Sequence, residues 1–308
     1  MKARAVYNPS AGMRTARVDL EHALDELRTR GWSINLVETK QPQDAISIAH
    51  AAAEEHLDAF IAVGGDGTMN EAANGLVGSA TALGVLPMGT ANVWAREMGL
   101  PPGNLVLAAR RLGDAEIRSI DVGEVRSEKI APRIFVLWTS AGLDAAVTRR
   151  VEPQRELKRK WGALFFWTEG IREGWAFRGQ RARLLFDQQR VHQRVILALA
   201  ANAQLYAGIT RIAPTARVDD GLLDLVVLKG TGAWSTAWHV LRVLLRLHVH
   251  DPQTDLYQFT FLKILAKNLP VQVDGEPIGM TPIEIRVRPR ALKVLVPKTA
   301  NMRLFANL

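Results

Sequence analysis

Apolar and polar residues alternate along the chain on two rhythms. Through the first 121 residues, short apolar runs at 4–7, 34–38, 60–63 and 82–86 read as buried strands. Segments of helical period lie between them. Residues 15–30 place Val18, Leu20, Ala23, Leu24 and Leu27 on one side, with Gly31 as the stop. Residues 44–55 read as a second helix with Asp44 as its N-cap, and 69–76, the stretch ending at Arg96, and 105–112 as further helices. Repeated strand–helix units predict a mostly parallel sheet covered on both faces. Ligands of such sheets lie beyond the carboxyl ends of the strands.

The rhythm changes after Asp121. Strand-like runs follow at 134–138, 181–186, 194–200, 223–228, 258–266, 271–274 and 283–289, and the helices expected among them are about 145–174 and 233–247. This composition predicts antiparallel sheets packed as a sandwich. The expected fold class is an α/β nucleotide-binding domain with a mostly parallel sheet, plus a β-sandwich second domain. The first domain is expected at 1–121, with 291–308 (which holds a strand-like run at 293–296) returning to it, and the second at 122–290.

Composition narrows the class. Of 308 residues, 48% are hydrophobic and 23% charged, as in ordinary globular proteins. No apolar run reaches the roughly 18 residues of a membrane span. Met1-Lys2-Ala3-Arg4 leads straight into Ala5-Val6-Tyr7, so no cleaved leader is expected. The absence of cysteine excludes disulfides and thiolate chemistry and fits a reducing, cytoplasmic compartment.

The net charge is +8, which suits phosphorylated or membrane-bound partners. From Arg149 to Arg183 there are ten Lys or Arg against four Glu, mixed with Trp161, Phe165, Phe166, Trp167, Trp175 and Phe177. That mixture reads as an interfacial surface for an anionic membrane, or as core aromatics under a charged helix face. No nucleic-acid partner is expected, and a homodimer is compatible with the chain.

The chemistry concentrates in a few loops. Gly64-Gly65-Asp66-Gly67-Thr68 joins a buried strand to a helix, a geometry that turns backbone N–H groups toward a phosphate. Asp66 would repel a phosphate unless a cation or a transferred proton takes part. Taken alone, the loop could simply be a turn. Asp274-Gly275-Glu276-Pro277 by itself reads as a hairpin turn, and Asp219-Asp220-Gly221 as a solvated one.

Together with Asn8-Pro9-Ser10-Ala11-Gly12, Pro87-Met88-Gly89-Thr90-Ala91-Asn92 and Asp219-Asp220-Gly221-Leu222-Leu223-Asp224, these loops resemble the diacylglycerol kinase catalytic-domain family of lipid kinases. The resemblance runs over nearly the whole chain. It implies ATP contacts by Asn8, Thr39, Gly64, Gly65, Asp66, Gly67, Thr68, Met69, Asn70, Gly89 and Thr90. It implies Asp274 as general base for a lipid hydroxyl, with Glu276 beside it near the catalytic metal. It also implies a structural Mg²⁺ held by the Asp220 carboxylate and the carbonyls of Arg217 and Leu222. Many members carry Asp where this chain has Val93, although Asp121, a related carboxylate, is kept.

The expected activity is ATP-dependent phosphorylation of a diacylglycerol-like lipid by a cytoplasmic, peripherally membrane-associated kinase. The alternatives are a nucleotide- or lipid-binding regulator with weak catalysis, motivated by Val93, and a soluble kinase of the NAD type. His239, His248 and His250 read as surface or interface residues rather than ligands. The apolar residues Val240, Leu241, Val243, Leu244, Leu245 and Leu247 read as core, and Asn202 and Tyr206-Ala207-Gly208 as cleft lining.

Overall fold

The computed structural model describes residues 1–9, 16–151, 170, 172–187 and 189–306. The chain divides into two compact units, Met1–Asp121 with Pro289–Leu308, and Val122–Arg288.

In the first unit, β1 (Lys2–Tyr7), α1 (Ala16–Arg28), β2 (Ser33–Glu38), α2 (Asp44–Glu54), β3 (Ala59–Gly64), α3 (Asp66–Leu76) and β4 (Ala82–Pro87) alternate. They are followed by α4 (Val93–Glu97), α5 (Leu105–Gly113) and β5 (Glu116–Ser127). The parallel strands lie in the order β2-β1-β3-β4, and Val294 of the chain's last strand pairs in parallel with Leu83 of β4. β3 and β4 are buried at every position, as expected of central strands covered on both faces, whereas the edge strand β2 is half exposed. α2 and α3 approach so closely that a Cβ on Gly75 would sit 2.3 Å from the Ile46 carbonyl oxygen. The chain leaves β1 toward β2 on one side and returns to β3 on the other. The crevice of this sheet therefore lies at the carboxyl ends of β1 and β3. α2 is preceded by Gln43 at φ 71 rather than capped by Asp44. The Asp44 carboxylate turns back to the N–H groups of Lys40 and Gln41, which hold its pKa low.

The second unit is a β-sandwich. It contains β6 (Ile130–Phe135), β7 (Trp138–Gly142), α6 (Leu143–Val151), β8 (Gln180–Phe186), β9 (Gln189–Ala201), β10 (Leu205–Tyr206) and β11 (Thr210–Arg211). Then come β12 (Leu223–Lys229), α7 (Ala233–Leu244), β13 (Thr254–Phe259), β14 (Phe261–Ala266), β15 (Pro270–Val273), β16 (Glu276–Met280) and β17 (Ile283–Val296). β9 pairs with β8 through its first half and with β7 and β12 through its second. Phe135, Leu184, Phe186, Leu225, Phe259 and Ile285 fill the core.

Three strand boundaries differ from expectation. Residues 134–138 are not one strand: β6 ends at Phe135, and Val136 and Leu137 turn their N–H groups to a side chain. Residues 258–266 break at Thr260, whose N–H and hydroxyl both donate to Asp187. Residues 283–289 and 293–296 belong to one strand, β17, which runs through Pro289 and Arg290. Of the helix expected at 145–174, α6 is its described start; Trp161, Phe165, Phe166 and Trp167 lie outside the described residues, as do Ser10, Ala11 and Gly12.

α7 also corrects the sequence reading. It buries Thr236, His239 and Val243 and exposes Trp234, Trp238, Leu241 and Leu244, with Leu245 and Leu247 exposed beyond it. At 100° per residue, Trp234, Trp238, Leu241 and Leu245 fall within an arc of about 60° opposite the buried side. His239 and His248 are core residues, hydrogen-bonded through Nε2 to the carbonyls of Lys229 (2.6 Å) and Ile212 (2.9 Å). Burial pushes the His239 pKa down, which keeps the ring neutral.

Candidate active site

The first cluster is a rim at the carboxyl ends of four adjacent strands. Tyr7 lies level with Glu38 and Val63, and Gly64 with Pro87. The next residues, Asn8, Thr39, Gly65 and Met88, therefore line one edge. Backbone bonds lock them: Asn8 N–H donates to the Val63 carbonyl (3.4 Å), Thr39 N–H to Tyr7 (2.9 Å) and Met88 N–H to Gly64 (2.8 Å). Two glycine loops then touch. A Cβ on Gly89 would lie 2.5 Å from the Gly65 Cα, so neither position has room for a side chain. Asn92, at φ 48, closes its loop by accepting from Gly89 N–H (3.0 Å) and donating to the Gly89 carbonyl (2.7 Å).

Asp66 is spent on this architecture. Its carboxylate accepts the N–H groups of Val93 (3.0 Å) and Trp94 (3.2 Å), tying the first glycine loop to the start of α4. Burial raises its pKa, against the lowering effect of those two bonds. Val93 is buried and gives its N–H to Asp66, so the position that carries Asp in many members here serves packing. Gly67, Thr68, Met69 and Asn70 form the first turns of α3. Met69 is core, and the Asn70 side-chain oxygen accepts from Asn74 (3.1 Å). Thr90 is exposed. Asp121 is fully buried and accepts the Arg290 N–H (2.7 Å), which fixes the backbone just after Pro289.

The second cluster is in the sandwich. Asp274, at φ 44, and Gly275, at φ 87, make the turn between β15 and β16. The Asp274 carboxylate accepts three consecutive backbone N–H groups, from Val136 (2.9 Å), Leu137 (3.1 Å) and Trp138 (2.9 Å). These bonds fix the direction of the carboxylate. Glu276 is paired with Arg133 at 2.7 Å.

Sequence reasoning missed what supports this turn. Asn202 is fully buried; it donates from Nδ2 to the Val136 carbonyl (2.9 Å) and from its N–H to Leu137 (2.8 Å), bracing the strip that holds Asp274. Gln272 accepts the Gly275 N–H (2.8 Å) and donates to Asp144 (2.9 Å) and Ser140 (2.9 Å). Ser140 and Tyr206 donate to the same Asp144 carboxylate. Asn202 and Tyr206 are thus structural braces rather than mere lining. The one available signal was the polar Asp144 inside an apolar helix start.

In the third motif, Gly221 at φ 78 reverses the chain and the Asp220 carboxylate accepts the Leu222 N–H (3.0 Å). Asp224 is pushed up, first by burial and also by the neighbouring Asp220 charge. The donors here, a carboxylate and main-chain carbonyls, are oxygens of the kind a hard cation takes. No group of three or more His, Asp or Glu is assembled for a metal among the described residues. Any cation at Asp220 would therefore draw on main-chain oxygens such as those of Arg217 and Leu222.

A parallel-sheet unit with touching glycine loops, and a sandwich carrying a clasped Asp-Gly-Glu turn, define a two-domain kinase. Residues 2–125 match the diacylglycerol kinase catalytic domain, and residues 138–296 match the YegS C-terminal NAD kinase beta sandwich-like domain. The chain belongs to the diacylglycerol kinase catalytic-domain family of lipid kinases. It is 28% identical over 300 residues to the diacylglycerol kinase of Bacillus subtilis (strain 168), covering 96% of this chain and 97% of that one. It is 27% identical to the diacylglycerol kinase of Mycobacterium tuberculosis (strain CDC 1551 / Oshkosh), over 96% of each. The solved structure of a diacylglycerol kinase from Bacillus anthracis str. Sterne has a TM-score of 0.74 at 20% identity, covering 97% of this chain and 98% of that one. Another structure from the same organism reaches 0.82 at 23%, with the same coverage.

Proposed function

We propose that the chain transfers the γ-phosphate of ATP to the hydroxyl of a diacylglycerol-like lipid, acting as a cytoplasmic enzyme at the membrane surface. The observation that carries this reading is the rim of Asn8, Thr39, Gly65 and Gly89, in which the two glycines touch backbone to backbone. Phosphoryl transfer depends mostly on positioning and charge stabilisation, and the start of α3, at Gly67 and Thr68, offers first-turn backbone N–H groups to a triphosphate. Asp274 enters as a carboxylate held in one direction, a pre-aligned base for the lipid hydroxyl. Glu276, neutralised by Arg133, sets the charge beside it. Asp220, with the carbonyls of Arg217 and Leu222, would hold the structural Mg²⁺. Magnesium bound with the nucleotide supplies charge neutralisation on the phosphates.

The membrane reading draws on α7. Trp234 is 83% exposed and meets Trp175 in a tilted ring contact, and Trp238, Leu241 and Leu245 extend the same stripe. Residues 233–250 contain arginine and histidine but no carboxylate. Indole rings on an apolar stripe suit a bilayer interface; Arg242 is neutralised by Asp251 at 3.1 Å, and the exposed Arg246 supplies the positive charge. Among the described residues no helix is long and apolar enough to cross a membrane.

The test is phosphate transfer from labelled ATP to diacylglycerol in mixed micelles. Wild type should label the lipid, and Asp274→Asn should lose at least about 100-fold in kcat. An Asp274→Asn protein as fast as wild type refutes the base assignment. A second reading, nucleotide binding without turnover, is favoured by Val93, buried and apolar where a metal-network carboxylate is common. It predicts ATP binding by calorimetry with no labelled lipid.

A further inference from the structure

The outer face of β8 and β9 carries an arrangement that the kinase reading does not use. Arg181 lies directly opposite Arg194, and Arg183 opposite His192, in the antiparallel register. Like charges facing each other across a sheet destabilise it. A soluble protein normally relieves such pairs with a carboxylate. Here none of Arg181, Arg183, Arg194 or Lys267 pairs with one among the described residues, and the Arg194 guanidinium reaches only the Gly179 carbonyl at 3.5 Å. On the neighbouring strand, Lys263 is neutralised by Glu284 at 3.0 Å, so the deficit is local.

The same residues line a groove of about 660 Å³ formed by Arg181, Arg183, His192, Gln193, Arg194 and Lys267. Its lining contains no Asp or Glu. The volume suits a ligand headgroup. Guanidinium groups match phosphate oxygens in shape and charge, and they are the side chains of choice where phosphate is held through two N–H donors.

We propose that this groove is a binding site for a phosphate ester. The ligand is a phosphomonoester or phosphodiester whose oxygens sit between Arg181 and Arg194, with Arg183 and Lys267 completing the charge. Binding relieves the cross-strand repulsion. The same phosphate chemistry is offered by a soluble ester or by the headgroup of an anionic lipid. The site stands on the geometry of β8, β9 and the groove, independently of the lipid-kinase reading.

The experiment uses the full chain and reads melting temperature at low ionic strength. Two probes are added separately: glycerol 3-phosphate, and phosphatidylcholine vesicles with and without phosphatidylglycerol. Wild type and Arg181→Gln/Arg194→Gln are compared. Without a probe, the double variant should melt above wild type because the facing charges are gone. With a probe, wild type should be stabilised and the variant should require at least about tenfold more ligand for the same shift. A response to glycerol 3-phosphate assigns a soluble ester. A response to phosphatidylglycerol vesicles alone assigns a lipid headgroup. If wild type responds to neither, or the variant responds like wild type, the groove is a solvated cationic face and the proposal fails. ATP turnover is not read, so this failure leaves the kinase assignment untouched, and loss of kinase activity leaves the site untouched.

Discussion

Two carboxylates, Asp66 and Asp144, do their work through the donors that hold them. Asp66 accepts N–H groups from Val93 and Trp94, so Asp66→Ala leaves two half-buried donors unpaired and unties the glycine loops. Losing such a cap destabilises by about 0.5–2 kcal/mol, and KM for ATP should rise more than kcat falls. Urea unfolding with steady-state kinetics measures both, and an unchanged KM would contradict the coupling of the loops. Asp144 carries a pH prediction. Burial raises its pKa above the ordinary 3.8, although bonds from Tyr206, Ser140 and Gln272 pull the other way. The folded state therefore holds this proton more tightly than the unfolded chain. Its contribution to stability is full below pH 3.8 and is lost as pH rises through the folded-state value. Urea unfolding as a function of pH should show that Asp144→Asn lacks this decline. Parallel wild-type and variant curves above pH 3.8 would contradict it.

Loops and strands set the next scale. Gly89→Ala places a methyl group 2.5 Å from the Gly65 Cα and 2.9 Å from the Asn92 side-chain oxygen, and the Gly65 backbone has no flexible end to move. The two loops must part, and calorimetry should find ATP binding weakened at least about tenfold. An unchanged affinity would mean that the loop contact is irrelevant to the nucleotide. The parallel strands were legible because central strands are apolar at every position, as in β3. The hairpin at Asp274-Gly275 was legible because Asp-Gly signals a tight turn. What holds Asp274 was not, because Val136 lies 138 residues earlier and a backbone N–H leaves no mark in a sequence. The runs at 283–289 and 293–296 read as two strands but are one, β17, with Arg290 at φ 48 held by Asp121 between them. The stripe on α7 was visible as a period, but a period does not say what covers it. Thr236 and His239 face inward because each is short or partnered enough to pack there. The larger Trp234 and Trp238 are left outside.

At the scale of the whole molecule, the first unit is built from both ends of the chain. Val294 pairs with Leu83 of β4, Ala291 accepts the Gly78 N–H (2.7 Å), and Asn301 donates to the Glu97 carbonyl (2.7 Å). Leu292, Val294, Leu295, Val296, Leu304 and Phe305 are all buried there. Each such side chain stabilises by about 1.5–3 kcal/mol, so six together are worth roughly 9–18 kcal/mol. Ordering the same residues costs conformational entropy, so only part of this is net, but a domain is stable by only roughly 5–15 kcal/mol. A chain ending at Arg288 should therefore lose the first unit, with Met1–Asp121 becoming sensitive to protease while Val122–Arg288, whose strands keep their partners, stays protected. Mass spectrometry of a limited digest reads this directly, and protection of Met1–Asp121 in the shortened chain would show that β1 to β4 suffice alone. The same accounting orders synthesis. The glycine loops emerge first, yet the sheet that aligns them is completed only when the last twenty residues, from Pro289 to Leu308, arrive.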